Sequence, residues 1–214
     1  MITPAEPNRP PLNTAAGEHA CEVLVRLVHQ GEGAAVVALA AGAGALEVVD
    51  GGPLQEALDR FGGRLQITEV AGGTGWCLGA EVCGRLVGLL YACSPVDFIR
   101  EFPVQHHQVL TETLIEIEIL AVEEAFRGTG VGTALLQYAT KFFGGGGLRL
   151  ALAKIDARDQ AIHRFYRRAG FTVVAPGGSC VINTPDGRAG ITAGPADGPW
   201  RLAITTLGNS IGRQ

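Results

Sequence analysis

Apolar and polar positions alternate most clearly in TLIEIEILAV, residues 113–122. Ile115, Ile117 and Ile119 alternate with Glu116 and Glu118. An extended chain would therefore place the three isoleucines on one face of a sheet and both glutamates on the other. We therefore predict a strand here, with the isoleucines in the core and the glutamates together on the opposite face.

Similar patterns predict the other regular elements. Two apolar runs are joined at Cys83-Gly84, which is the spacing of a β-hairpin. The segments typical of strands are 21–28, 75–82, 85–93, 148–155, 171–174 and 200–207, and those typical of helices are 34–46, 53–61, 132–143 and 159–169. Strands and helices thus alternate along the chain, as in an α/β domain.

Two long segments lack a clear period. The connection 94–112 is long for a compact domain, so it is either a substrate lid or a plain insertion. It contains His106 and His107, which could act as a base or bind substrate, but adjacent histidines in an extended chain point apart and do not form a ready metal pair. The glycine-rich segment 175–199 is predicted to be a loop or a twisted hairpin.

Length and charge limit the kind of protein. A chain of 214 residues with 47% hydrophobic content suits one domain with appendages. The formal net charge of −4 predicts no attraction to nucleic acid or to anionic membranes, and at most a weak attraction for cations such as amines. The apolar run 34–46 is too short to span a bilayer, and proline-rich residues 1–20 are predicted to be a disordered lead-in.

The five cysteines are odd in number and have no CxxC spacing. Neither a structural zinc site nor a redox pair is therefore expected, and we expect no metal. A reducing cytoplasm is the predicted location.

A glycine loop follows the central strand in the sequence EEAFRGTGVGTALL. Gly128, Gly130 and Gly132 precede a predicted helix, so backbone amides would point at the helix N-terminus, where an anion can bind. A Walker loop would need a lysine after its last glycine, and the dinucleotide fingerprint would need a third glycine where Thr133 stands. Both schemes are therefore disfavoured, and a tight turn without ligand remains the alternative.

RGTGVG resembles the [Arg/Gln]-x-x-Gly-x-[Gly/Ala] loop of the Gcn5-related N-acetyltransferases (GNAT), and DQAIHRFYRRAGF further on resembles the second motif of that superfamily. The order of elements also agrees. The resemblance covers residues 21–207, with 208–214 as a flexible tail, and implies the acyl-CoA N-acyltransferase fold. That fold has a mixed, mostly antiparallel sheet of about seven strands, splayed at its centre and flanked by helices.

The resemblance implies a binding site for acetyl-CoA. Up to six successive loop amides could converge on its pyrophosphate, and backbone groups at the end of the central strand would hold the pantetheine arm and the acetyl carbonyl. The implied binding residues are Leu120, Ala121, Val122, Arg127, Gly128, Thr129, Gly130, Val131, Gly132, Thr133 and Asp159.

The resemblance also implies catalytic roles. Tyr166 matches the general acid that protonates the thiolate, although its ring could instead only pack on the sheet. Glu118, and after it Glu116, are candidates for the base, with solvent-facing glutamates or a water relay as alternatives. Asp159 stands where asparagine commonly contacts the coenzyme, so it could serve only as a helix cap. Lys154 replaces a glutamate found in ribosomal-protein-acetylating members, which disfavours their mechanism.

The prediction is an N-acetyltransferase that moves acetyl directly from acetyl-CoA to a primary amine on a small molecule or peptide. The alternative is a non-catalytic acyl-CoA-binding sensor of the same fold. The segments around 29–33, 62–75, 95–112 and 176–199 would build the acceptor pocket. A homodimer is possible, and neither nucleic acid nor membrane is an expected partner.

Overall fold

The structure is a computed structural model, and it describes residues 22–44, 51–184, 187–192 and 197–208. The predicted lead-in at 1–20 and nearly all of the predicted tail lie outside these residues. Among the described residues no helix combines the length and the apolar character needed to cross a membrane.

The elements follow the predicted order. The strands are β1 (Leu24–Leu27), β2 (Arg64–Gln66), β3 (Thr74–Val82), β4 (Arg85–Cys93), β5 (Leu114–Val122), β6 (Leu150–Asp156), β7 (Thr172–Val173), β8 (Ser179–Thr184), β9 (Gly187–Thr192) and β10 (Trp200–Thr206). The helices are α1 (Gly33–Gly42), α2 (Gly51–Phe61), α3 (Val96–Ile99), α4 (His107–Thr111), α5 (Val131–Gly145) and α6 (Gln160–Arg168).

The main sheet has eight strands, in the order β1-β3-β4-β5-β6-β10-β7, with β2 added beside β3. Only the central pair, β5 and β6, is parallel. All other pairs are antiparallel. The predicted mixed, mostly antiparallel sheet is therefore confirmed, with β2 as a strand that the sequence pattern did not indicate. Strands β8 and β9 form a separate hairpin within the glycine-rich segment.

The predicted hairpin between β3 and β4 turns at Cys83 and Gly84, which both have positive φ, 52° and 76°. Such angles suit a two-residue hairpin turn. Cys83 is disulfide-bonded. Disulfides are rare in reducing compartments, so the cysteines give no support to the predicted cytoplasmic location, which stays a prediction.

Helices cover both faces of the sheet. On one face α5 packs its buried side, including Leu135 and Phe143, against Leu78 and Leu90 of the β3–β4 hairpin. On the other face α1 and α2 enclose a second apolar cluster. The connection 94–112 is not irregular, because α3 and α4 cover a third cluster that contains Leu114 of β5.

A β-bulge at Glu118 breaks the alternation of β5. Tyr91 of β4 pairs with Ile119 and the next residue pairs with Ile117, so Glu118 has no partner on β4. Because of the extra residue, side chains at the same alternating positions before and after the bulge point to opposite faces of the sheet. Ile117 therefore packs towards α5, whereas Ile119 packs towards α1 and α2. The prediction that all three isoleucines share one face is therefore wrong, because alternation along a sequence does not reveal a bulge.

Candidate active site

The central strands β5 and β6 separate within the sheet. Their parallel pairing ends at Ile117 and Ala153. Beyond this point Leu120 to Val122 pair with β4 alone. On the far side Lys154 and the rest of β6 pair with β10. A gap therefore opens between two strands at the centre of the sheet, where the resemblance implied a splay.

The glycine loop lies at the end of β5 and leads directly into α5. Thr129 donates its amide to the carbonyl of Phe126 across 3.4 Å, and Ala134 donates to Gly130. Among the described residues no acceptor engages the five remaining amides of the loop and first helical turn, those of Gly128, Gly130, Val131, Gly132 and Thr133. The expected set of six free amides is thus reduced to five, all at the positive end of a 15-residue helix.

Two of the loop glycines are required by backbone geometry. Gly128 and Gly130 have φ of 79° and 98°, and a Cβ at either position would meet no atom within 4 Å. The loop is therefore open on the side that a ligand would occupy. Arg127 donates from Nε to the carbonyl oxygen of Val122 at 3.1 Å, which ties the loop to the end of β5.

Tyr166 packs in the apolar layer beneath the gap. It lies in the same cluster as Ile117 and Ile155, which flank the separation of the two strands, and its ring meets Phe171 edge to face. Burial raises the pKa of its phenol well above the ordinary value, so the hydroxyl stays protonated at neutral pH. A buried, protonated tyrosine thus belongs to the apolar cluster that includes the residues flanking the gap.

A cavity of about 600 Å³ lies at the gap and is lined by residues of both β5 and β6. Glu118 lines it, and Tyr91, Cys93 and Trp200 contribute to its walls. Tyr166 is not among the lining residues, but it belongs to the apolar cluster that also contains Ile117 of the cavity wall.

Glu118 has the most perturbed carboxyl group of the cavity. Burial, reinforced by the charge of Glu116 and opposed by that of Lys154, raises its pKa to about 7. The thiol of Cys93 lies 4.0 Å from Glu118 Oε1, and burial raises the pKa of this thiol to about 12. At neutral pH the carboxyl group is therefore poised to exchange a proton, whereas the thiol remains protonated and is a poor nucleophile.

Glu116 is not free to act as a base. Its carboxylate is 6% exposed and lies 3.1 Å from the ammonium of Lys154. The ammonium group also lies 5.9 Å from the ring centre of Trp200. Among the two glutamates predicted as bases, the geometry favours Glu118 and gives Glu116 an ion-pairing role.

Asp159 caps α6. Its Oδ1 accepts hydrogen bonds from the amides of Ala161 and Ile162 at 2.7 and 3.1 Å. The alternative of a helix cap is thus confirmed, and a contact with the coenzyme stays a prediction.

The two histidines of the connection 94–112 do not line the cavity. His107 Nε2 lies 2.9 Å from the carbonyl oxygen of Phe102, which ties α4 to the preceding turn. The connection instead contributes Asp97 of α3, and the turn after β2 contributes Glu69. Two of the four segments predicted to build the acceptor pocket, 62–75 and 95–112, contribute residues to this cavity, although no sequence pattern had indicated these two carboxylates. That the cavity receives the acceptor stays a prediction.

A sheet that separates at its central parallel strands, with a glycine loop and helix N-terminus at the end of β5, defines the acyl-CoA N-acyltransferase fold. Residues 77–173 match the family model described as the acetyltransferase (GNAT) domain. Over this segment the match confirms the resemblance that the two motifs had indicated.

Solved structures share this fold across nearly the whole chain. A protein assigned to the GNAT family from Desulfovibrio desulfuricans is 19% identical, with a TM-score of 0.58 over 87% of this chain and 99% of that one. The yncA protein of Salmonella typhimurium, solved with its cofactor acetyl-CoA, is 17% identical, with a TM-score of 0.55 over 90% and 98% of the two chains.

Diaminobutyrate acetyltransferase EctA from Paenibacillus lautus, solved with its substrate and coenzyme A, is 20% identical, with a TM-score of 0.53 over 90% and 99%. At these identities the likeness extends to the fold alone. A search of curated proteins found no match.

Proposed function

We propose that the protein is an N-acetyltransferase that moves an acetyl group from acetyl-CoA directly to a primary amine. The observation that carries the proposal is the gap between β5 and β6, because Glu118 lines the cavity at this gap and Tyr166 belongs to the apolar cluster that contains the flanking residue Ile117. An acid and a base near one gap suit a reaction in which one group gains a proton as another loses it.

The residues around the loop fit the pyrophosphate of coenzyme A. Five free amides at the N-terminus of α5 offer hydrogen bonds and a favourable dipole to an anion, and the glycines leave room for its approach. The edges of Leu120, Ala121 and Val122 that face away from β4 would bind the pantetheine arm and the acetyl carbonyl. Acetyl-CoA supplies an activated thioester, and hydrogen bonds from the chain to its carbonyl oxygen favour attack.

Glu118 would accept the proton of the incoming ammonium, so that a neutral amine nitrogen can attack the thioester carbon. The carbon–nitrogen bond forms as the carbon–sulfur bond breaks, and Tyr166 would give its proton to the departing thiolate. The second proton, which the nitrogen loses on becoming an amide, would pass to solvent and restore the phenol of Tyr166. The pKa of about 7 for Glu118 suits a base that works near neutral pH.

Replacement of the acid tests the proposal. With purified protein, acetyl-CoA and a mixed amine panel, Tyr166→Phe is expected to lower kcat by about 10²-fold or more. Tyr138→Phe is the matched control, because Tyr138 is an exposed tyrosine on α5, stacked on Phe142 and away from the gap. Release of coenzyme A thiol is the measurement.

A protein that is stabilised by acetyl-CoA but releases no thiol with any amine would instead be the non-catalytic sensor. Equal rates for Tyr166→Phe and Tyr138→Phe would exclude Tyr166 as the acid.

A further inference from the structure

The cavity beside the gap carries more negative than positive charge. Four carboxyl groups line it, those of Glu69, Asp97, Glu118 and Asp156, against one cation, Lys154. That cation is already paired with Glu116. The charge that the cavity presents to an incoming molecule is therefore negative, which suits a cationic acceptor.

The outer carboxylates are available to a ligand. Glu69, in the turn after β2, and Asp97, on α3, are exposed, and neither makes a hydrogen bond or ion pair within the described residues. Asp156 uses Oδ1 to accept from the amide of Arg158 and keeps its other oxygen for solvent.

These outer charges act on the reacting end of the cavity. The charge of Asp97 contributes to the raised pKa of Glu118, and that of Glu69 contributes to the raised pKa of Cys93. A molecule that spans the cavity can thus contact the outer carboxylates and Glu118 at once.

A metal ion is a poor fit for these acids. Within the described part of the chain no three of the His, Cys, Asp and Glu residues lie close enough together to hold one. Separated carboxylates instead suit a flexible molecule with positive charges spaced along its length.

We propose that the acceptor is a small diamine or polyamine, with one amino group at Glu118 and a second, protonated amino group held by Glu69 and Asp97. This inference rests on the proposed acetyl transfer. A cavity of about 600 Å³ is of the size that small ligands occupy. The second ammonium keeps its proton throughout, and only the first amine gives up its proton and forms the new amide bond.

A matched set of amines tests the inference. The linear diamines from diaminopropane to diaminohexane are compared with the monoamine and the ω-amino acid of the same carbon chain, by thiol release from acetyl-CoA. We expect kcat/KM for at least one diamine to exceed that of its monoamine by about fivefold, because an ion pair with exposed carboxylates contributes on that order. The ω-amino acid is expected to be the poorest acceptor, since its carboxylate meets like charge.

Charge removal links this preference to the two residues. In Glu69→Gln/Asp97→Asn the ratio of kcat/KM for the diamine to that for the monoamine should fall about fivefold. Glu56→Gln, an exposed change of the same kind on α2, should keep the wild-type ratio. If the double variant melts at a lower temperature than wild type, Asp97→Asn alone is tested instead. We expect this single variant to lower the same ratio by a smaller factor.

The two proposals fail differently. The proposal of a diamine acceptor would be wrong if monoamines had the same kcat/KM as the diamines and if the double variant left the ratio of the two unchanged. The proposal of acetyl transfer would not be affected by that result. Absence of thiol release with every amine would overturn both.

Discussion

Glu118 owes its proton affinity to the cavity that it lines. It is the unpaired residue of the bulge in β5, and its side chain lies among the residues of the cavity wall. Burial there disfavours the carboxylate, and the neighbouring Glu116 adds like charge. These two effects outweigh the opposing charge of Lys154 and produce a carboxyl group with a pKa of about 7.

This pKa has a consequence for stability. The folded pKa of about 7 lies above the ordinary value of 4.5, so the folded protein binds the proton more tightly than the unfolded chain does. The stabilisation from the neutral form is fully present below pH 4.5 and is lost as the pH rises through about 7.

At pH 8 we expect the free energy of unfolding of Glu118→Gln to be about 1 to 3 kcal/mol higher than that of wild type. Near pH 4 the two free energies of unfolding should be equal. Urea unfolding at both pH values is the measurement. Glu56→Gln, at an exposed position, should show no such difference between the two pH values. A Glu118→Gln variant that is less stable than wild type at pH 8 would contradict the raised pKa.

At the scale of elements, the loop and α5 together form the proposed anion site. The helix provides the dipole and the first-turn amides, while the two left-handed glycines turn the chain so that these amides remain unpaired. Because the loop starts at the end of β5, the anion site lies beside the gap that would receive the thioester arm.

Alanine substitutions separate backbone strain from ligand contact. Gly128→Ala and Gly130→Ala are each expected to cost about 1 kcal/mol of unfolding free energy, because a Cβ is disfavoured at positive φ. In Gly132→Ala the Cβ would lie 3.4 Å from Phe165 Cζ, an ordinary contact, so stability should stay within about 0.5 kcal/mol of wild type.

The Gly128 and Gly130 variants should also raise KM for acetyl-CoA but not for acetyl-pantetheine, which lacks the pyrophosphate. Initial rates with the two thioesters make this measurement. Equal increases in KM for both thioesters would mean that the pyrophosphate does not bind at this loop.

At the scale of the whole molecule, the two faces of the sheet have different tasks. The face towards α5 and α6 is an apolar layer that holds Tyr166, and the opposite face carries the charged cavity. The separated strands β5 and β6 contribute residues both to the apolar layer and to the cavity.

Coenzyme binding should stabilise the whole fold, since β5, β6 and α5 all border the site. Acetyl-CoA at about a hundredfold its Kd is expected to add about 2.7 kcal/mol to the free energy of unfolding. Thermal or urea unfolding with and without ligand makes the measurement, with ATP and NAD as controls. Stabilisation by either control, without stabilisation by coenzyme A, would contradict the assignment of the site.

The local elements could be predicted from the sequence because they depend on local patterns. The β3–β4 hairpin, the central strand, the glycine loop and the Tyr166 helix all have short-range signals in apolar period and glycine placement. The two motifs, in order along these elements, also predicted the family that residues 77–173 match.

Only the tertiary structure decided what these residues face. The bulge at Glu118, the pairing of Glu116 with Lys154 and the arrival of Glu69 and Asp97 at one cavity depend on contacts between segments distant in the chain. The sequence by itself determined the elements and the glycine loop, because propensity and glycine conformation act within a few residues. The charge and protonation of the cavity at the gap depend on burial and on through-space electrostatics, which exist only once the sheet has formed.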